Sequence, residues 1–559
     1  MSLSSQWSCQ QWPFIVQAMT ILVLASIALL VTMAIRFIAC ETSMREMRGS
    51  SRSQIALEGL PHHLAPALGH VEDAEDTNLT SKKTCLFTIS AFNNYGFVKS
   101  FLKRLQKLHP DLLCLVWVVA DNIQDWAPNG MKNLTSEILY DVQQQPLPWH
   151  VVTVDQLQPY LGDFSYAELA FRYDMVCFNT ALKPAAFKYI FHEFGAGKVL
   201  FFDNDIWILQ PVTALIDALD HYSLVLTPHS TQPFPLDGFK QDERNIMLAG
   251  QFNFGFVGMA ATETTFEWLE YWNRRLRFYG FARPNEGMHF DQNWANFIVS
   301  YFPQSKYLIW RDPRYNVAYW NLHYRGVHLH MVEDQVMYDQ DPVVFMHFSG
   351  MSDLLNYNIE SISRHQNRFS MADFPRLRPI FEKYLEMLRA EDAMRWRHVP
   401  YGFCCFDDGT DVPQVVRNFY AEVLDPGTQS GDLALINGFK ERVAFDSPFV
   451  NGDSNSKVSL LRWMWQPVHH PNKHIPSWWP EIIWQIYYQR KDLQSRYPDV
   501  LGKDSKRLFR WFQKRGIKEY HLDEERMLSF FDRASRQSKG LFVVHRLEAI
   551  ALRLEAHPY

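Results

Sequence analysis

The chain lacks the cysteine spacing that builds a zinc centre. Its seven cysteines, Cys9, Cys40, Cys85, Cys114, Cys177, Cys404 and Cys405, show no paired metal-ligand pattern, which argues against a structural zinc site. The odd count also argues against a dense disulfide framework; one or two bridges stay open, with no connectivity legible. A long basic run is missing and net charge is only −6, so nothing indicates a nucleic-acid surface. No internal repeat is found. Apolar residues are not scarce: at 47% hydrophobic and 15% aromatic the chain can bury a large core, which argues against global disorder. Its length allows roughly two to four domains. The many tryptophans and tyrosines suit sugar stacking, but core packing is the commoner use of such rings.

One stretch lacks charge altogether. Phe14 to Ile35 is 22 residues without an acid or base, long enough to cross a bilayer as a helix. A signal peptide competes, but the preceding tail carries no Lys or Arg and the apolar run is long for one. The expectation is a short tail (1–13), an uncleaved anchor (14–38) and a polar stem (39–82). Orientation is contested. Arg36, Arg45, Arg48 and Arg52 follow the span, which by the positive-inside rule puts the carboxyl side in the cytosol. Two acceptor sequons, Asn78-Leu-Thr80 and Asn133-Leu-Thr135, point instead to the lumen.

From Cys85 the pattern alternates between strand and helix, which predicts an α/β domain over 83–370. Leu86 to Ile89 reads as a strand and Tyr95 to Leu108 as an amphipathic helix. Leu112 to Ala120 reads as a second buried strand ending at Asp121. An acid at a strand end suits a ribose or base contact, or equally a turn. Ser165 to Phe194 reads as mostly helical and carries Lys183-Pro184. The central stretch is Lys198-Val-Leu-Phe-Phe-Asp-Asn-Asp-Ile-Trp-Ile-Leu209, an apolar strand that breaks at two carboxylates. In extended chain Asp203 and Asp205 would point to one side and could share a hard divalent cation; a polar turn is the plainer alternative. Trp207 beside them fits core packing better than a sugar contact. Further strands are read at Tyr222 to Thr227, Phe252 to Gly258 and Val343 to Gly350, the last carrying His347. The glycines of the second would let backbone approach a ligand closely. Asp291 stands where it could cap a helix. After about residue 371 strand signals fade, and a mainly helical second domain, 371–559, is expected.

The order strand with terminal acid, Lys-bearing helix, Asp-Xaa-Asp, Asn-Xaa-Gly-Phe, Asp-Gln, His resembles GT-A-fold glycosyltransferases, above all those of family 8 and related nucleotide-diphospho-sugar transferases. The carrying residues are Val199-Leu-Phe-Phe-Asp-Asn-Asp-Ile206, Phe252-Asn-Phe-Gly-Phe256, Asp291-Gln292 and His347-Phe-Ser-Gly350, within about residues 83–365. The later run Ile486 to Asp499, with Arg510-Trp511 and Gly516, is similar to a helical segment of bacterial polysaccharide glycosyltransferases, which implies an accessory module.

The resemblance implies a Rossmann-like nucleotide-sugar-binding domain and a set of roles. Asp203 would touch the donor ribose and the metal, Asp205 would ligate the metal, and His347 would complete the protein ligands of a Mn²⁺ (or Mg²⁺). Lys183 would bind donor, or is a surface lysine before Pro184. Asn253 would face donor or acceptor sugar, Asp291 would bond sugar hydroxyls, and Gln292 would lie near the reacting carbon. Family 8 enzymes follow the His-Xaa-Xaa-Gly with a lysine that clamps the diphosphate; here the chain reads Gly350-Met-Ser-Asp353, and Arg364 or His365 is the expected substitute. The implied activity is transfer of a sugar from a nucleotide donor, a UDP-sugar, to a glycan, glycoprotein or glycolipid, with retention of configuration. The implied setting is the Golgi or ER membrane with the catalytic part in the lumen, or a cytosolic face if the arginines rule. The rival of another class is a non-catalytic glycan- or partner-binding protein on the same fold. A metal-dependent hydrolase would need more His or Asp ligands than are found.

Overall fold

The computed structural model describes residues 83–111, 114–122, 149–351, 359–423, 448–449, 460–465, 480–500, 503–520, 522, 524–527 and 529–530. The expected anchor, the stem and both sequons lie outside these residues. Among the described residues no helix is long and apolar enough to cross a membrane. All of them belong to one compact unit, Asn78–Tyr559.

The α/β expectation holds. Strands β1 (Thr84–Ser90), β2 (Cys114–Val119), β3 (His150–Thr153) and β4 (Lys198–Phe202) run parallel. The short β5 (Ile206–Ile208) leaves the sheet. Strand β6 (Leu224–Pro228) follows, then β7 (Phe252–Ala260), and β8 (Tyr307–Ile309) closes the far edge, giving the order β8-β6-β7-β4-β1-β2-β3. β7 is antiparallel to both β4 and β6, so one reversed strand splits a parallel sheet. A last strand, β9 (Phe345–His347), pairs antiparallel with β5.

Residue parity explains why the sheet is buried on both faces. Cys85, Phe87, Val116, Val118, Val199 and Phe201 enter one core, whereas Leu86, Leu115, Trp117, Leu200 and Phe202 enter the other. Alternate residues of a strand point to opposite faces, and near-continuous apolar runs are what a parallel sheet covered by helices requires. Helix α1 (Tyr95–Leu108), expected at those bounds, covers the second face through Val98, Phe101, Leu102 and Leu105. The first face takes the stretch expected to be helical, which resolves into α2 (Tyr166–Arg172), α3 (Met175–Ala181) and α4 (Lys183–Glu193). Asp174 caps α3 by accepting from Cys177 N–H. Pro184 sits in the first turn of α4, where its missing N–H costs nothing. Helix α5 (Glu263–Tyr279) starts at the Thr262 cap and buries Trp268, Leu269, Trp272 and Leu276.

Past residue 370 most described elements are helices, and they pack into the same cores as the sheet. Helix α6 (Arg378–Ala390) sets Tyr384 flat on Phe348, ring centroids 3.9 Å apart. Helix α7 (Gln414–Val423) lies against α2 and α8 (Glu481–Gln489). Arg417 of α7 is buried and donates to the carbonyls of Ala170 and Phe171 at 2.7 and 2.9 Å.

Asp121, at the end of β2, fastens this later segment to the sheet. Its Oδ1 accepts from Asn122 N–H (2.8 Å) and Gly402 N–H (2.6 Å), and its Oδ2 accepts from Phe92 N–H (3.1 Å). Of the two readings of Asp121, the chain-reversal role is the one seen: all three donors are backbone. A Cβ on Gly402 would fall 2.7 Å from that Oδ1, so only glycine approaches closely enough. Burial pushes the Asp121 carboxyl up to about 7, while the three amide donors favour the anion. Asp121→Asn keeps the shape but turns one acceptor into a donor facing an N–H. We expect it to cost about 1–3 kcal/mol of stability in denaturant unfolding; an unchanged midpoint would show that the staple carries no weight.

Candidate functional site

The site lies where β4 ends. Ile206 N–H donates to the Asp203 carbonyl at 3.1 Å, so Asp203-Asn-Asp-Ile206 is a tight turn. Of the two local readings the polar turn is the one formed, and the extended-chain expectation is corrected: reversal of the chain, not strand alternation, draws the carboxylates together. Asp203 N–H donates to the Gly255 carbonyl of β7 at 2.8 Å, which fixes the turn to the sheet.

The β5–β9 ribbon supplies the third member. Its register places His347 opposite Ile206, and Phe348 N–H donates to the Asp205 carbonyl at 3.0 Å. His347 Nε2 then lies 3.1 Å from Asp205 Oδ1 and 3.8 Å from Asp203 Oδ2. Ligand atoms of Asp203, Asp205 and His347 all fall within 4.8 Å of one another. Two carboxylate oxygens and an imidazole nitrogen make a donor set suited to a divalent cation such as Mn²⁺. The protein's own features fit that use. His347 is buried and its Nδ1 is 3.1 Å from Asn253 Oδ1, so a ring with Nδ1–H anchored there aims its other nitrogen's lone pair at the carboxylates. Burial disfavours charge on His347, but Asp205 and Asp203 outweigh it and raise its proton affinity above the ordinary value. Burial pushes the Asp203 carboxyl up to about 6, against the pull of Lys183. Burial pushes Asp205 the same way, and the facing His347 outweighs it, leaving that carboxyl below its usual range.

Lys183 is no surface lysine. It is 2% exposed, lies over the Phe201 ring at 4.3 Å and donates to the Phe254 carbonyl at 2.8 Å. Its Nζ is 2.9 Å from Asp291 Oδ2 and 3.9 Å from Asp203 Oδ1. Asp291 makes no capping bond to the short helix after it; its carboxylate goes to Lys183 instead. Burial raises the Asp291 carboxyl, opposed by that lysine.

Other expected site residues are placed differently. Gln292 is tied at both ends, its Oε1 accepting from Phe254 N–H at 3.4 Å and its Nε2 donating to the Ala249 carbonyl at 2.8 Å. Asn253 is 5% exposed and spends its amide on His347 and on His229, whose Nε2 is 3.4 Å from Asn253 Nδ2. Asp121, with all its oxygens on backbone, is not part of this cluster. Trp207 is core, packed against Phe348 and Tyr384. Arg364 is exposed on a loop tied to the chain after His347: Ser363 Oγ donates to the Ser349 carbonyl at 2.9 Å. His365 on that loop has an exposed surface, yet the protein packed around it partly desolvates it; this and Arg364 hold its pKa below the ordinary value, and it is within electrostatic reach of Asp205.

Sequence reading misses His229 and gives Gly255 a different role. His229 follows β6 directly and is buried, so the strand-end polar signal that marks Asp203 was there to be read. Gly255 packs against the histidine: a Cβ there would lie 2.3 Å from His347 Cε1. The glycine of Asn253-Phe-Gly255 makes room for the histidine ring.

No protein-family model matches the chain, and no curated protein does. Among solved structures it is similar to galactosyltransferase LgtC in complex with donor and acceptor sugar analogues (14% identity, 55% of this chain and 95% of that one, TM-score 0.30). It is also similar to mouse xyloside xylosyltransferase 1 in apo form (13% identity, 48% and 98%, TM-score 0.28). A third is the glycosyltransferase GlyE of Streptococcus pneumoniae TIGR4 (15% identity, 58% and 67%, TM-score 0.29). These overlaps are low, and residue roles here rest on the geometry above.

Two substitutions probe that geometry. Gly255→Ala should weaken divalent-cation binding by about 10–100-fold, the usual effect of disturbing a ligand's support; equal binding would mean that His347 is not a ligand. Lys183→Met leaves Asp291 buried without its partner and should cost about 3–5 kcal/mol in thermal or denaturant unfolding. The double variant Lys183→Met/Asp291→Asn should recover part of that loss.

Proposed function

We propose that the chain is a metal-dependent glycosyltransferase of GT-A type that moves a sugar from a nucleotide-sugar donor, a UDP-sugar, to a glycan, glycoprotein or glycolipid. The observation that carries this reading is the convergence of Asp203, Asp205 and His347 at the end of a central strand. The ends of parallel strands are where open α/β sheets bind nucleotides. These three residues would hold Mn²⁺ or Mg²⁺. A cation bound there offsets the charge that builds on the nucleoside diphosphate as the glycosidic bond breaks.

The remaining residues have supporting roles. Lys183, braced by Asp291, sets a buried positive charge beside Asp203 on the donor side. Arg364 and His365 stand on the loop after His347 and supply the basic group that the missing lysine would have given. Retention of configuration fits a site whose nearby carboxylate, Asp291, is engaged by Lys183 instead of standing free as a general base. The predicted anchor at Phe14 to Ile35 and the two sequons support a luminal Golgi or ER placement.

A non-catalytic binding protein is the second reading, favoured by one observation: the amides of Asn253 and Gln292 are both spent on protein groups. Donor hydrolysis by the full-length chain separates the two, assayed over a nucleotide-sugar panel with Mn²⁺ or chelator. The transferase reading expects metal-dependent turnover of one donor, abolished in Asp205→Ala. A folded protein that neither turns over nor binds any of these donors in Mn²⁺ would leave the binding-protein reading. Arg364→Gln should weaken nucleotide binding up to about fivefold, the range for an exposed charge contact; unchanged affinity would remove Arg364 from the site.

A further inference from the structure

A row of three buried side chains runs behind the candidate metal site. His229, Asn253 and His347 are 5%, 5% and 6% exposed. His229 Nε2 is 3.4 Å from Asn253 Nδ2, and Asn253 Oδ1 is 3.1 Å from His347 Nδ1. Trp320 packs edge-on against both rings, 5.2 Å from His229 and 5.1 Å from His347. The backbone of His229 is pinned as well: its N–H donates to the Gln251 carbonyl, and its carbonyl accepts from Asn321 Nδ2.

An amide has one accepting end and one donating end, and a neutral imidazole has one N–H. With both imidazoles neutral, the row therefore has two consistent settings. In the first, His229 Nε2 accepts from Asn253 Nδ2–H, Asn253 Oδ1 accepts from His347 Nδ1–H, and the His347 Nε2 lone pair faces Asp203 and Asp205. In the second every donor and acceptor is exchanged. The amide is turned over, and the His347 proton sits on Nε2, bonded to Asp205. Only the first offers a nitrogen lone pair to a cation.

We infer that His229 and Asn253 are positioning residues that hold His347 in its Nδ1–H tautomer and so set the site's affinity for a divalent cation. The inference rests on reading Asp203, Asp205 and His347 as a metal site, and assigns Asn253 to the metal side instead of to a sugar. It also accounts for glycine at 255, since the ring can meet Asn253 only in the space that a Cβ would fill.

The test is Mn²⁺ titration of the full-length chain, followed by the paramagnetic resonance of free Mn²⁺. Asn253→Ala should weaken binding by about 10–100-fold, as loss of a ligand's hydrogen-bond partner does. Asn253→Asp keeps the acceptor for Nδ1–H and should stay within about threefold of wild type. His229→Phe keeps an aromatic edge for Trp320 but loses the acceptor. It should weaken binding by about 3–10-fold alone and add little to Asn253→Ala. A merely structural role would lower the melting temperatures without separating the Ala and Asp variants in affinity. Nitrogen-15 resonances of labelled histidine in the wild-type protein give a readout that needs no variant: His347 should carry its proton on Nδ1. Wild-type binding that persists in folded Asn253→Ala, or a wild-type His347 protonated on Nε2 alone when Mn²⁺ is absent, overturns the inference. If the folded wild-type chain binds no Mn²⁺, the metal reading falls and takes this inference with it.

Discussion

Three carboxylates stand close together at the end of β4, and like charges so near one another are tolerated only when cations sit among them or a proton neutralises one. Asp291 is answered by Lys183 at 2.9 Å. Asp203 shares that lysine more distantly, at 3.9 Å. Asp205 faces the Nε2 of His347. One buried lysine cannot neutralise three acids, and the imidazole nitrogen is either a proton carrier or a ligand. A divalent cation among Asp203, Asp205 and His347 would balance the arrangement, and the surrounding contacts keep those groups in place.

That support comes from elements far apart in the chain. β7 receives Asp203 N–H at the Gly255 carbonyl and Lys183 Nζ at the Phe254 carbonyl. The β5–β9 ribbon carries His347 to Asp205. Gln292 ties the segment after Asp291 back to Phe254 and Ala249. Buried polar groups of this kind are costly when any partner is missing, so the network specifies one arrangement of the strand ends. The helical part after residue 370 closes the same cores, with Tyr384 on Phe348 just past His347 and Gly402 on Asp121.

Much of this was legible because it depends on local pattern. The apolar runs at Val199 to Phe202 and Phe252 to Val257 announce buried strands, and the break at Asp203 marks the site. Helix α1 was readable from apolar spacing alone. The order of the motifs identified Asp203, Asp205, His347, Lys183 and Asp291, and the structure brings these together. What stayed hidden depends on partners distant in sequence. Nothing near Asn253 says that its amide will meet His347, 94 residues on. Nothing near Asp121 says that Gly402 will donate to it. A strand-end acid can serve a ligand or a backbone amide, and only the fold decides which. The tight turn at Asp203 to Ile206 was legible only as an alternative, because period-two reasoning assumes that the strand continues.

The central claim is that one divalent cation binds among Asp203, Asp205 and His347. Anomalous diffraction at the manganese edge, from crystals of the full-length chain grown with Mn²⁺ and a nucleoside diphosphate, tests it most directly. The account predicts a single strong peak within coordination distance of Asp205 and His347, with diphosphate oxygens completing the shell. A peak elsewhere, or a diphosphate bound with no metal at these residues, would contradict it.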